Sequence, residues 1–356
     1  MSASPMKLDN PRVWRTYLGG KLLDAFHEKD GDDGHFPEEW IMSVTKARNP
    51  GHENEGSDGL SRTENGQTLR ALIESDPEKY LCKPTADTGV LVKLLDSAER
   101  LGIQVHPNRE KAKALFNSDY GKTECWYILG TRTIGGEKPC VYLGFKKGMT
   151  KEKWRELFEK QDIPAMLDSL ERFEVKEGDT ILVEGGVPHA IGAGCFLCEI
   201  QEPTDFTIRT ERKTPSGFMI DERLCHQGIG FEKMFDVFDY SEMSREEIIN
   251  KYHVKPKTVL ECSGGRIVSR VGYDKTPYFS LEEIEATGEM TLSATDKFYG
   301  LYVIGGTGKL VCADGKMNIE KGDQLFVPSG AGDITVIPKQ NENLRIMRFF
   351  GPDAKK

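Results

Sequence analysis

Val175-Lys-Glu-Gly-Asp-Thr-Ile-Leu-Val183 recurs as Ile319-Glu-Lys-Gly-Asp-Gln-Leu-Phe-Val327, 144 residues further along a chain of 356. In each copy a Gly-Asp turn feeds alternating apolar residues, and a second glycine-bearing turn follows. Packed sheets require a period of two, so the match reads as a duplicated β unit rather than a repeat of one common turn. Two copies of a unit made of many short strands predict a mainly β chain of double jelly-roll barrels with helical insertions, or one barrel with a degenerate partner. A length of 356 residues is enough to fill two cores without disulfides.

The rest of the chain can be read around that repeat. Strands are expected at PEEWIMSV, at GVLVKLLDS (89–97), at GIQVHP, at ECWYILGT and at CVYLGF. TLRALIESDPEKYL reads as a helix capped by Thr68, and 150–170 as a helical insertion capped by Thr150 and divided by Pro164. SREEIINKY (244–252) is a further helix candidate. GHENEGSDGLSRTENGQTL (51–69) reads as surface loop, and GGTG (305–308) as a hairpin turn rather than a phosphate cradle. The resulting division is residues 1–250, holding the chemistry, and residues 251–356, a second unit without a catalytic metal. The reason lies in the copies themselves: His189 aligns with Asp333, and nothing like Gln104-x-His106 precedes the second copy.

Several function classes are excluded. A net charge of -9 argues against a nucleic-acid partner, and obliges any anionic substrate to find a local patch of Lys and Arg. No run is apolar enough to cross a bilayer, and the opening MSASPMKLDNPRVW lacks the pattern of a secretory signal, so a cytoplasmic location is expected. The eight cysteines are scattered; Cys195 and Cys198 form a CxxC, but within the strand-like CFLCEI, so all are expected to be reduced thiols. Monomer and homodimer are both open.

Chemistry concentrates in three strand motifs. Gln104 and His106 are two apart and share one face, with Pro107 favouring extended geometry at the sheet end. Lys122, Glu124 and Trp126 share a face in GKTECWYI, and His189 follows a Gly-Gly turn in VPHAIG. One amide, two imidazoles and a carboxylate suit Zn²⁺, with Mn²⁺, Co²⁺ or Fe²⁺ tolerated by mixed nitrogen and oxygen donors. The alternative is that each histidine is merely hydrogen-bonded in a packed interior. Arg209 shares a face with Asp205 and Thr207, either at the same mouth or in a salt bridge with Asp205 or Glu211. Glu199 and Gln201 alternate imperfectly with their neighbours, while Lys93 in LVKLLD needs a partner or a route to solvent. His27, His35, His52, His226 and His253 are not assigned to the metal.

VKLLDSAERLGIQVHPN, GKTECWYIL, the Gly-Asp turn and VPHAIGAG together resemble the type I mannose-6-phosphate isomerase family, most sharply between about 89 and 210. The resemblance implies a cupin arrangement of two barrels with one zinc ion in the first. It carries Gln104, His106, Glu124 and His189 over as metal ligands, Lys122 and Lys93 as pocket residues, and Arg209 as an active-site arginine. The implied reaction interconverts mannose 6-phosphate and fructose 6-phosphate through an enediol-like intermediate. The general base is left open. After Arg209 this chain reads RTERKTPSGF, a departure from many bacterial relatives, and the segment 45–67 matches no substrate motif. An isomerase of another or nonphosphorylated sugar, and a sugar-binding cupin without turnover, are the competing readings; an iron dioxygenase would explain Gln104 and Lys122 less well.

Overall fold

In the computed structural model, which describes residues 4–49 and 51–353, the two Gly-Asp turns have the same local structure. Asp179 accepts the Lys176 amide and Asp323 the Glu320 amide, at 3.0 and 2.8 Å. Gly178 and Gly322 both sit at φ 92°, where a side chain would be strained. Each turn then feeds a four-residue strand. Thr180–Val183 pairs antiparallel with Glu124–Thr131, and Gln324–Val327 pairs antiparallel with Tyr299–Gly305.

The described strands form four sheets of seven, six, five and four strands. Shared cores show how they stack. Leu95, Trp126, Ile128 and Leu197 of the six-stranded sheet meet Val141, Leu143 and Ile191 of the five-stranded sheet. Leu301, Leu325 and Ile346 of the seven-stranded sheet likewise meet Leu310, Ile319 and Val336 of the four-stranded sheet. These two sandwiches lie back to back, the other faces of their larger sheets enclosing Val92, Leu94, Tyr127 and Ile200 with Leu281, Tyr302, Phe326 and Met347. Across that seam Tyr127 donates to Glu283 at 2.6 Å, and Tyr302 to Glu39 at 2.5 Å. The outer face of the five-stranded sheet is covered by helical segments carrying Trp154, Phe158, Phe235 and Phe238.

The expected jelly-roll barrels are not present, because no sheet is closed on itself. Leu170–Glu174 and Thr180–Val183 are consecutive strands, yet each is the edge of a different sheet. The Gly178 turn carries the chain from one layer to the other instead of back alongside itself. Helix Arg245–Tyr252 places buried Ile248 and Tyr252 in the core at that open side, and Ser244 with Glu247 forms its capping box. The fold is therefore mainly β, built of open antiparallel sheets with helical segments.

Other expectations have mixed outcomes. Thr150 caps Lys151–Lys160, and Pro164 lies in the first turn of a separate helix, Ile163–Asp168. Thr68 caps Leu69–Ser75, but the expected single helix breaks at Asp76, which caps a second helix beginning at Pro77. GGTG is a corner rather than a hairpin turn, since Tyr299–Gly305 and Thr307–Cys312 belong to different sheets. A Cβ at Gly306 would lie 2.1 Å from the Asn343 carbonyl oxygen, so only glycine fits. Cys195 and Cys198 are buried free thiols that belong to different core clusters. Among the described residues no helix is long and apolar enough to cross a membrane.

Candidate metal centre

Three backbone hydrogen bonds and one strand pairing bring the motif segments together. The His106 carbonyl accepts from the Gly186 amide at 2.7 Å, and the Pro107 carbonyl from the Lys122 amide at 2.9 Å. Thr123 and Glu202 pair through Glu202 N–H, at 3.0 Å, and His189 lies opposite Gln104 in the five-stranded sheet. A Cβ on Gly185 or Gly121 would come within 2.6 Å of the backbone around Pro107 and Asn108. Glycine at both positions is what permits this close crossing.

The side chains then converge. His106, Glu124 and His189 are buried, and they offer three donor atoms within 4.8 Å of one another. His106 Nε2 is 3.2 Å from Glu124 Oε2, and His189 Nε2 is 3.4 Å from Glu124 Oε1. The Gln104 amide lies 3.2 Å from His189 Nε2, and turned over it would present its oxygen instead. Each imidazole is held from behind: Nδ1 of His106 by the Phe206 carbonyl and Nδ1 of His189 by the Val187 carbonyl, both at 2.8 Å. Those carbonyls require Nδ1–H, which turns both Nε2 lone pairs toward the centre.

The electrostatics suit a cation. Burial, reinforced by the Lys122 ammonium, pushes His106 down to about 3, and burial also lowers His189. Both rings are therefore neutral donors. Burial alone would raise the Glu124 carboxyl, but Lys122 and His106 hold it well below the usual carboxylate range. Lys122 Nζ itself lies 2.8 Å from Glu124 and 2.9 Å from His106, so positive charge already favours this point. Trp126 Nε1 donates to the second Glu124 oxygen at 3.0 Å. Neutral imidazoles, an ionised carboxylate and fixed Nε2 directions fit a divalent metal, and a packed-interior role explains them less well.

Beside this centre a charged cleft is lined by Arg15, Glu38, Lys93, Lys122, Glu199, Asp205 and Arg209, four cations against three carboxylates. Lys93 Nζ is 3.1 Å from Glu199 and 3.4 Å from Glu38. Burial opposes the Lys93 charge, but the two carboxylates outweigh it and raise its pKa. Burial, then the nearby Glu124 charge, pushes the Glu199 carboxyl up to about 7. Neither expected salt bridge of Arg209 forms, because Asp205 lies 3.7 Å from Arg15 and Glu211 pairs with Arg100 at 2.5 Å. Arg209 instead donates to the carbonyls of Thr207 and Leu224, and burial lowers its pKa. The five histidines left out by the sequence argument also lie outside the cluster.

Arg15, Glu38 and Tyr17 went unnoticed in sequence. Arg15 donates to Glu38 at 2.8 Å and reaches Asn49 at 3.1 Å, while Trp14 stacks on His52 with ring centroids 3.7 Å apart. Asn49 and His52, in the unassigned segment 45–67, thus pack against Arg15 and Trp14 beside the cleft.

Comparison with known proteins agrees with this geometry. The model "Phosphomannose isomerase type I, catalytic domain" matches residues 21–124, and "Mannose-6-phosphate isomerase, cupin domain" matches 271–340. The chain is 28% identical to mannose-6-phosphate isomerase ManA of Bacillus subtilis over 250 residues, 68% of this chain and 70% of the relative. It is 27% identical to the probable mannose-6-phosphate isomerase GmuF of the same organism over 337 residues, covering 93% and 96%. Its fold matches the crystal structure of a mannose 6-phosphate isomerase from Bacillus subtilis with a TM-score of 0.76, 24% identity, and coverage of 98% of this chain and 99% of that one. The two matched models fall one in each sandwich, and the match to GmuF spans 93% of the chain: the chain belongs to the type I phosphomannose isomerase family.

Proposed function

We propose that the chain interconverts mannose 6-phosphate and fructose 6-phosphate as a metal-dependent aldose–ketose isomerase, with a single metal site in the unit 1–250 and none in 251–356. The observation that carries this reading is the buried His106–Glu124–His189 cluster opening beside a cleft of four cations. His106, Glu124, His189 and the turned Gln104 amide are the proposed ligands, with Zn²⁺ as the ion and Mn²⁺, Co²⁺ or Fe²⁺ accommodated. When bound, the ion supplies positive charge that polarises the sugar's carbonyl and hydroxyl oxygens.

The chain's own groups divide the remaining work. Lys122, buried beside Glu124, adds positive charge where the enediol oxygens become electron-rich. Glu199 is the proposed base that moves the proton between C2 and C1. Its carboxyl, pushed up to about 7, is matched to proton transfer near neutral pH, and Lys93 holds it in place at 3.1 Å. Arg209, bonded only to carbonyls in the described contacts, is left to receive the substrate's anionic group. The local excess of cations answers the repulsion expected from a chain of net charge -9.

The test is an isomer assay of phosphorylated and free aldoses with Zn²⁺, Mn²⁺ and Co²⁺ supplied separately. Turnover of mannose 6-phosphate above that of free mannose is expected. Faster turnover of the free sugar would refute the phosphate role of Arg209, and no conversion with any metal would refute the isomerase itself.

A further inference from the structure

Glu202 is fully buried and sits directly behind the two residues that face the substrate and metal. Its Oε1 accepts the Thr123 amide at 3.2 Å, and Thr123 is the residue between Lys122 and Glu124. The opposite oxygen is held by Arg109 Nε at 2.7 Å. Arg109 is not itself buried: its side chain is 38% exposed, and it opens the helix Arg109–Phe116 three residues after His106. What keeps its guanidinium in place is a pair of rings. Tyr278 lies 4.0 Å away, centroid to Cζ, and Tyr120 lies 5.3 Å away, its hydroxyl tied to Asp87.

Tyr278 comes from the other sandwich, just before the strand Ser280–Ala286 and inside the region matched by the cupin-domain model. A buried carboxylate needs its cation, and a half-exposed arginine keeps its bond only if water is excluded and the plane is fixed. We infer that Tyr278 is a positioning residue for Lys122 and Glu124, acting through Arg109 and Glu202. The metal-free unit thereby contributes to the site without touching substrate. This rests on the isomerase reading for its kinetic arm only, because the same relay also bears on Glu124 as a metal ligand.

The test is a set of substitutions read in two ways: kcat and KM per folded molecule at saturating Zn²⁺, and Zn²⁺ affinity by competition with a chelator. Tyr278→Leu, and Tyr278→Ala where it folds, should lower kcat and Zn²⁺ affinity by about tenfold or more while KM changes by about twofold or less. Tyr278→Phe keeps the ring and should restore both to within about twofold of the original chain. Arg109→Ala should match or exceed the Tyr278→Leu loss, and the double variant should be no worse than Arg109→Ala. Unchanged kcat and affinity in Tyr278→Leu, failure of Tyr278→Phe to restore them, or losses that multiply in the double variant would each overturn the relay. If the original chain converts no sugar phosphate, the isomerase reading fails, and chelator competition still decides the relay.

Discussion

The two sandwiches share a turn, a strand pairing and a layer order, yet among the described residues only one gathers metal-type donors. Glu124 pairs with Val183 where the second sandwich has Tyr299 opposite Val327. The strands that set His189 against Gln104 have as counterparts a pair that sets Ile334 against Leu292. Asp333, aligned with His189 in sequence, is an exposed loop residue accepting the Ala294 amide. One interior is thus filled with apolar side chains, and the other gives up part of that packing to hold charge. The second sandwich keeps the same layering with no such cluster among its described residues. The chemistry needs only a few positions exchanged within a sandwich that is stable without them.

The largest effect should come from His189→Ala. Metal quantification should find the ion lost and turnover lowered on the order of a thousandfold, from loss of a ligand and of the charge it holds. Asp333→Ala, the same change in the other copy, and His226→Ala, outside the cluster, should leave both intact. Full occupancy in folded His189→Ala would erase the contrast between the sandwiches.

Glu199→Gln should lower kcat by about 10²- to 10⁴-fold while the ion stays bound. The sign of the pH effect follows from the carboxyl being raised from 4.5 to about 7: it must be ionised to act, so kcat falls as pH drops through about 7 or below. A pH–rate profile of kcat would check this. An acid limb that persists unchanged in residual Glu199→Gln activity would assign it to another group.

Leu325→Ala, in the purely apolar interior, should cost about 2–5 kcal/mol of stability by denaturant titration while kcat per folded molecule is retained. Its positional counterpart Ile181 lies opposite Trp126, which donates to Glu124. Ile181→Ala should therefore lower kcat as well as stability, and equal kinetic silence in both would show that the metal centre is insulated from its own core. Smallest should be Tyr302→Phe, about 1–3 kcal/mol by the same titration, because Glu39 loses a buried donor but keeps His27 at 2.7 Å.

Much of this was legible in the sequence. Gln104 with His106, and Lys122 with Glu124 and Trp126, were placed on common faces by the two-residue period, and the structure brings them together. Glu199 alternates only imperfectly with its neighbours because its strand, Cys195–Gln201, is buried along its whole length. With a core on either side, Leu197 facing one and Ile200 the other, no polar face remains to reveal the period. The barrels were expected from strand number and alternation. Closure depends instead on hydrogen bonds between edge backbones, which side-chain pattern does not encode. Arg15 and Glu38 lie far from every motif, and only the fold places them beside Lys93.

Tyr127 and Tyr302 occupy matching places, since each stands one residue beyond Trp126 or Leu301 in its strand, and each reaches into the opposite sandwich for a buried glutamate. Duplication has here produced mutual dependence. Severed near residue 250, the first half would leave Glu39 without its phenol and expose the wide apolar surface holding Val92, Leu94 and Ile200. The second would lose the strand Met6–Leu8 from its sheet edge and leave Glu283 without Tyr127. Neither half would be a self-sufficient protein, and an ancestor with one sandwich would have needed a second copy of itself to cover the same seam.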